Sequence, residues 1–215
     1  MKTSHLIEAL AQDSANDAPM RWNIARALKI ALIAGNITSG LIFFIWIGFR
    51  PDIMAAAETT RFLLKFAITI PIATAATAAL LRISRPGVEL GAAGWALAIS
   101  PALLIVAVIV ELNVLPERLW VMTLIGNNAK HCMTMIPLLA LGPLACLLVA
   151  LREGAPTKPG LAGAIAGLAA SGIAATFYAT NCTDDSPLYV ATWYPLATGL
   201  VVLVGYLGGR TFLRW

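Results

Sequence analysis

The sequence predicts an all-α fold, a polytopic membrane protein built as a bundle of six transmembrane helices. Three observations support this prediction, and the first two concern composition. Of the 215 residues, 59% are hydrophobic and only 12% are charged, against about half and about a quarter in soluble domains. The third is a set of six long stretches without a charged side chain. A soluble domain needs more charged surface, and a disordered chain has fewer apolar residues. The composition therefore excludes both classes.

The chain begins with a polar segment, residues 1–25, followed by a membrane domain over residues 26–215. Within this segment Leu6, Ile7 and Leu10 fall on one face of a short amphipathic helix. Such a helix either rests on the lipid or the bundle, or it docks a cytoplasmic partner. Its periodicity is compatible with both interpretations.

Six uncharged stretches follow, and each is long enough to be considered as a membrane span, which needs about 20 apolar residues. The second has 16 residues; it reaches the required length from Phe62 if Lys65 extends towards the outer surface. None of the stretches alternates as a transmembrane β-strand would, and helices satisfy their own backbone groups in lipid. The stretches are Ile30–Phe49, Phe66–Leu81, Leu90–Val110, Cys132–Leu151, Pro159–Thr183 and Ser186–Gly209.

Pairs of glycines four residues apart occur in the last two stretches, Gly163 with Gly167 and Gly205 with Gly209. This spacing lets two helices approach closely. We expect these helices to pack tightly, without any functional role for the glycines.

The distribution of Lys and Arg predicts that both termini are cytoplasmic. With the N-terminus inside, ten of these cations lie in cytoplasmic segments and five lie outside. Cytoplasmic loops of membrane proteins are enriched in Lys and Arg. The longest outer segment, residues 111–131, then carries a short helix that starts near Pro116 and ends near Gly126.

The chain has three cysteines, and the predicted topology separates them. Cys132 opens the fourth stretch and Cys182 lies near the outer end of the fifth, so both belong to the outer face, where disulfides persist. Cys146 lies deep in the fourth stretch, where a cysteine usually behaves as a small hydrophobic residue. Cys132 and Cys182 are therefore the candidate reactive pair.

Several chemistries are open to this pair. It can exchange between thiols and a disulfide, with Cys132 as the attacking thiolate because Lys130 and His131 precede it. It can hold a soft metal ion, with His131, Asp184 or Asp185 as an auxiliary ligand. A permanent structural disulfide and two unrelated cysteines are the remaining alternatives. The two aspartates also suit an ordinary start of the last helix.

No catalytic motif accompanies the cysteines: the sequence lacks a phosphate-binding loop, H-E-x-x-H, G-x-S-x-G and Cys-x-x-Cys. We therefore expect no enzyme. Two other classes remain as alternatives, a membrane thiol-disulfide oxidoreductase and a small transporter. The first usually carries Cys-x-x-Cys, and the second usually has an ionisable residue near mid-membrane.

Several motifs after the outer loop carry a family resemblance. They are Cys132 with Ile136-Pro137-Leu138-Leu139, Leu151-Arg152-Glu153-Gly154-Ala155-Pro156, Ala162-Gly163-Ala164, Tyr178-Ala179-Thr180-Asn181-Cys182 with Asp184-Asp185-Ser186-Pro187-Leu188, Trp193-Tyr194 and Leu213-Arg214-Trp215. In these motifs the chain resembles the NrsF-type membrane anti-sigma factors. The N-terminal segment and the Arg50-Pro51-Asp52 turn are also similar.

The resemblance implies a multi-pass protein of the bacterial inner membrane that sequesters an extracytoplasmic-function sigma factor on the cytoplasmic side. The family releases its sigma factor under heavy-metal or oxidant stress, and its sensing residues correspond to Cys132 and Cys182. By analogy, the N-terminal segment becomes the candidate docking surface for the sigma factor. The implied partners are that sigma factor and membrane lipid, with no direct nucleic acid. No cofactor is implied beyond a transient heavy-metal ion.

Overall fold

The structure, a computed structural model, describes residues 3, 5, 7, 20–84, 91–154 and 156–213. Within these residues the chain is helical and forms no β-strand. The α-helices run over Met20–Trp46, Ile53–Ala57, Thr60–Ile83, Ala92–Ala96, Ile99–Val114, Trp120–Ile125, Ala129–Leu151, Pro159–Ala179 and Pro187–Phe212, and a 3-10 turn covers Glu117–Leu119.

Six segments, one of them made of the helices Ala92–Ala96 and Ile99–Val114 together, are long and apolar enough to cross a membrane, which confirms the predicted fold class. We number them spans 1 to 6: Ile24–Trp46, Thr60–Ile83, Ala92–Val114, Ala129–Leu151, Pro159–Ala179 and Pro187–Phe212. The cytoplasmic location of the termini stays a prediction, as does the division into residues 1–25 and 26–215.

The span boundaries differ from the predicted ones where local capping intervenes. Span 2 starts at Thr60 because the Thr59 hydroxyl accepts a hydrogen bond from the Phe62 N–H and caps the helix. Span 5 ends at Ala179, so residues 180–186 form a loop before span 6. We call this segment, which carries Cys182, the Cys182 loop.

Span 5 is the centre of the bundle. In the most apolar 18 residues of span 5, 72% are buried, against 11% in the same length of span 3, which lies at the edge. Its surface is made of small residues, and a Cβ added at Gly163 would strike the backbone of Gly205 and Gly209. The close approach predicted from the glycine spacing is therefore confirmed. Spans 1 and 4 pack together as well, and the Ser39 hydroxyl donates to the Leu139 carbonyl at 2.6 Å.

The short outer helix has the predicted form: it follows Pro116 and stops at Gly126, whose φ is +59°. Near the start of the chain, Thr3, His5 and Ile7 are helical and exposed, and the amphipathic helix stays a prediction. Leu6 and Leu10, the other two docking candidates, lie outside the described residues.

Candidate functional site

Cys132 and Cys182 meet at one end of the bundle. Cys132 lies in the first turn of span 4, and Cys182 lies three residues beyond the end of span 5. Both are free thiols, both are buried, and both belong to the same core cluster. Their segments are in contact: Asp184, two residues after Cys182, binds Asn128, whose carbonyl accepts from the Cys132 N–H. Cys146 is also a free thiol, on the opposite half of span 4.

Three buried tyrosines, Tyr178, Tyr189 and Tyr194, belong to the same core cluster as the thiol pair. The Tyr178 hydroxyl lies beside the Cys182 thiol, and the Tyr189 hydroxyl lies beside the Cys132 thiol. None of the three hydroxyls completes a well-formed hydrogen bond with a described residue. A buried hydroxyl without a partner is unfavourable, so the region around the thiols is polar but poorly satisfied.

Asp184 ties the Cys182 loop to the start of span 4. One of its carboxylate oxygens accepts hydrogen bonds from the backbone N–H groups of Asn127, at 3.0 Å, and Asn128, at 2.8 Å. It also accepts from the Asn128 side chain at 2.9 Å. These backbone groups lie just ahead of the helix, where a carboxylate is favoured. The contact therefore holds the segment of Cys182 against the helix of Cys132.

Asp185 lies between two buried cations, Lys65 and Arg50. It pairs with the Lys65 ammonium, and its two oxygens accept from Arg50 at 3.1 and 2.9 Å. Lys65 is only 1% exposed. The expectation that Lys65 reaches the outer surface is therefore wrong, because the Cys182 loop folds over it and supplies a carboxylate partner.

The backbone of Cys182 is held by the same two cations. Its carbonyl accepts a hydrogen bond from Lys65 Nζ at 2.8 Å and another from Arg50 Nη1 at 3.3 Å. Arg50 lies just past span 1 and Lys65 lies in span 2. The carbonyl of a candidate sensing residue therefore joins two further spans.

The loop also contacts span 3. The Ser186 hydroxyl accepts from the Leu188 N–H at 3.2 Å, which caps span 6, and donates to a Glu111 carboxylate oxygen at 3.0 Å. Glu111 is buried and pairs with Arg61. Ser186 is thus the residue that starts the last helix, while the two aspartates point to other partners. Between spans 5 and 6, the Cys182 loop contacts residues in or beside all four remaining spans.

The electrostatics of the loop favour a neutral Cys182. Burial raises the pKa of the Cys182 thiol, and the charge of Lys65 opposes part of that rise. Hydrogen bonding to Asp52 raises the pKa of Arg50, and Arg50 in turn lowers the pKa of Asp52. These two charges are therefore stable across the physiological range.

The sequence neighbours of Cys132 do not share its burial. Lys130 and His131 are exposed, although the His131 ring lies 6.0 Å from the ring of Tyr178. Across the described ranges, no group of three or more His, Cys, Asp or Glu residues is arranged to hold a metal ion. A metal ion at this site would thus depend on the two thiols.

The comparisons with known proteins identify the family. A family model described as NrsF, negative regulator of sigma F, matches residues 10–215. The chain belongs to the NrsF family. It is 35% identical to the anti-sigma-F factor NrsF of Caulobacter vibrioides, with full coverage of both chains. It is 30% identical to the probable anti-sigma-F factor NrsF of Azospira oryzae, again over both full lengths. No solved structure shows a significant match.

NrsF membership confirms the resemblance drawn from the motifs, and it makes the chain an anti-sigma factor that negatively regulates a sigma factor. The structure adds residues that sequence reasoning did not select, above all Lys65 and Arg50. Their signal in the sequence is weak: Lys65 is a single cation inside a predicted span, and Arg50 belongs to a turn that the resemblance already included.

Proposed function

We propose that this NrsF protein sequesters an extracytoplasmic-function sigma factor at the bacterial inner membrane and releases it when Cys132 and Cys182 change chemical state. The single observation that supports this most is that two free, buried thiols, one in span 4 and one in the Cys182 loop, lie in segments that the Asp184–Asn128 hydrogen bond joins. They are 50 residues apart in the sequence, so a bond between them fixes span 4 to the end of span 5.

Two stimuli fit the pair. With a peroxide as oxidant, the thiols lose two electrons and two protons and form one disulfide, while the peroxide is reduced to water or to an alcohol and water. With a soft metal ion, two thiolates bind the ion and two protons are released. A disulfide forms by thiolate attack, and burial raises the pKa of the Cys182 thiol, so we expect the pair to react more slowly than free thiols.

The proposed change is a shift between two conformations of the bundle. Converting a 1:99 population into 99:1 requires about 5.5 kcal/mol of differential binding. A covalent bond or a pair of metal–thiolate bonds between Cys132 and Cys182 can supply an energy of that size. The stimulus acts only through its different affinity for the two conformations.

The proposed docking surface for the sigma factor is the N-terminal segment, with Leu6, Ile7 and Leu10 on its apolar face. The exposure of Ile7 supports it. Deleting residues 1–15 is expected to give constitutive sigma-dependent transcription while the protein remains at normal levels in the membrane. Unchanged repression would mean that the docking surface for the sigma factor lies on an inner loop instead.

The sensing role is tested with Cys132→Ser and Cys182→Ser in cells that report sigma-dependent transcription. Each variant is expected to lose the response to both peroxide and a soft metal ion. Cys146→Ser is the matched control, because it removes a thiol from the opposite half of the same span, and it should respond like the parent. A normal response from both Cys132→Ser and Cys182→Ser would refute the proposal.

A further inference from the structure

The Cys182 loop contains one contact whose loss is especially unfavourable. Lys65 is buried, and its two polar partners within the described residues, the Cys182 carbonyl and the Asp185 carboxylate, both come from this loop. A buried charge is tolerated only while it is paired and hydrogen-bonded. If the loop moves away, Lys65 has to move with it or find water.

Arg50 extends this contact to span 1. Its guanidinium binds the Cys182 carbonyl and Asp185 on one side and Asp52 on the other, with Nη2 to Asp52 at 2.7 Å. Two further hydrogen bonds join the end of span 1 to the Cys182 loop. The Arg50 N–H donates to the Thr180 carbonyl at 3.3 Å. The Asn181 side chain donates to the Gly48 carbonyl at 3.0 Å. The end of span 1 therefore follows the loop closely.

From these contacts we infer that Lys65 and Arg50 are positioning residues, which hold the backbone of Cys182 and pass its displacement to spans 2 and 1. The inference rests on the proposed sensing by the cysteine pair and names how the signal leaves that pair. Joining Cys132 to Cys182 displaces the backbone of Cys182, whose carbonyl both cations hold.

The contacts of Lys65 and Arg50 are better suited to transmit a displacement than the two other contacts of the Cys182 loop. The Asp184 contacts run to span 4, the partner of the bond itself, so they restrain the thiols without carrying a change elsewhere. The Ser186–Glu111 contact runs to span 3, at the edge of the bundle. Span 1, by contrast, continues directly towards the N-terminal segment.

The test uses the full-length protein in cells and two readouts on the same culture: the Cys132–Cys182 disulfide after peroxide treatment, and sigma-dependent transcription. Lys65→Met removes the charge and keeps the apolar stem. The disulfide should still form, and the peroxide-induced rise in transcription should be lost. Lys65→Arg keeps the charge within reach of both partners and should restore the rise. Arg118→Met, which removes an exposed cation of the outer turn Glu117–Leu119, is the control and should behave like the parent.

A rise with Lys65→Met equal to that of the parent, at equal disulfide, would overturn the inference. If Lys65→Met does not accumulate in the membrane, Arg50→Gln replaces it, because it leaves the Lys65–Asp185 pair in place. Arg50→Gln should reduce the rise, and an unchanged rise overturns the inference equally. Failure of the proposed function is recognised separately, since Cys132→Ser would then still respond in the parent background.

Discussion

The glycine contact between spans 5 and 6 makes a quantitative prediction for Gly167→Ala. A Cβ at Gly167 would lie 2.7 Å from the Val201 carbonyl oxygen and 2.9 Å from the Val202 Cα, whereas ordinary contact begins at 3.4 Å. The helices must therefore separate by about 0.7 Å, the difference between 3.4 and 2.7 Å. The obstructing atoms are backbone, so no side chain can rotate away.

The matched control is Gly199→Ala in span 6, where an added Cβ meets nothing within 4 Å. Both substitutions gain the same helix propensity, about 1 kcal/mol, so this contribution cancels between them. The remaining difference is the cost of overpacking, about 1–3 kcal/mol. The melting temperature of Gly167→Ala should accordingly lie below that of Gly199→Ala, by about 2–4 °C for each kcal/mol of this difference.

The assay is thermal unfolding of the two purified full-length variants in the same detergent, followed by helical signal and by aggregation. Gly199→Ala is expected to match or exceed the parent. Equal melting temperatures for the two variants would refute the reasoning, because they would mean that the helices are not in backbone contact at Gly167.

Three further predictions concern the thiol site. Gly126→Ala should lower the free energy of unfolding by about 1–3 kcal/mol, because φ +59° with ψ −168° is a conformation for glycine alone. The new Cβ would also press on Tyr189. A melting temperature equal to the parent's would contradict this. Asp184→Ala leaves three hydrogen-bond donors of Asn127 and Asn128 without their acceptor, at a cost of about 1–3 kcal/mol of folding free energy. It should slow disulfide formation by peroxide, measured by mass spectrometry; an unchanged rate would separate the Asp184 contact from thiol placement. Burial raises the pKa of Cys182, so its alkylation should keep accelerating above about pH 8.5, where a free thiol levels off. Unfolding should raise the rate at pH 7, and a folded rate already maximal at pH 8 would contradict the burial.

The sequence is informative wherever one-dimensional spacing determines structure. Long uncharged stretches predict all six spans, and the spacing of Gly163 and Gly167 predicts the tight contact of the last two helices. The alternation of spans also predicts that Cys132 and Cys182 share one end of the bundle. Two crossings, spans 4 and 5, lie between them and return the chain to the side from which it started.

The rest of the site depends on how a short loop folds over the bundle. Lys65 resembles an ordinary cation near a helix end until the loop covers it with Asp185 and the Cys182 carbonyl. Asp184 resembles a cap for the helix that follows it, yet it binds the start of span 4. These choices among distant partners depend on tertiary packing, and local pattern does not contain them.

The most direct test of the account is a crosslink made in the native membrane. In a Cys146→Ser background, which leaves two cysteines, a short bifunctional thiol reagent should join Cys132 to Cys182 within one chain. The same treatment should lower the amount of sigma factor that copurifies with the membrane protein. The contradictory result is that each thiol reacts singly while no intrachain bridge forms, or that the bridge forms and the bound sigma factor is unchanged.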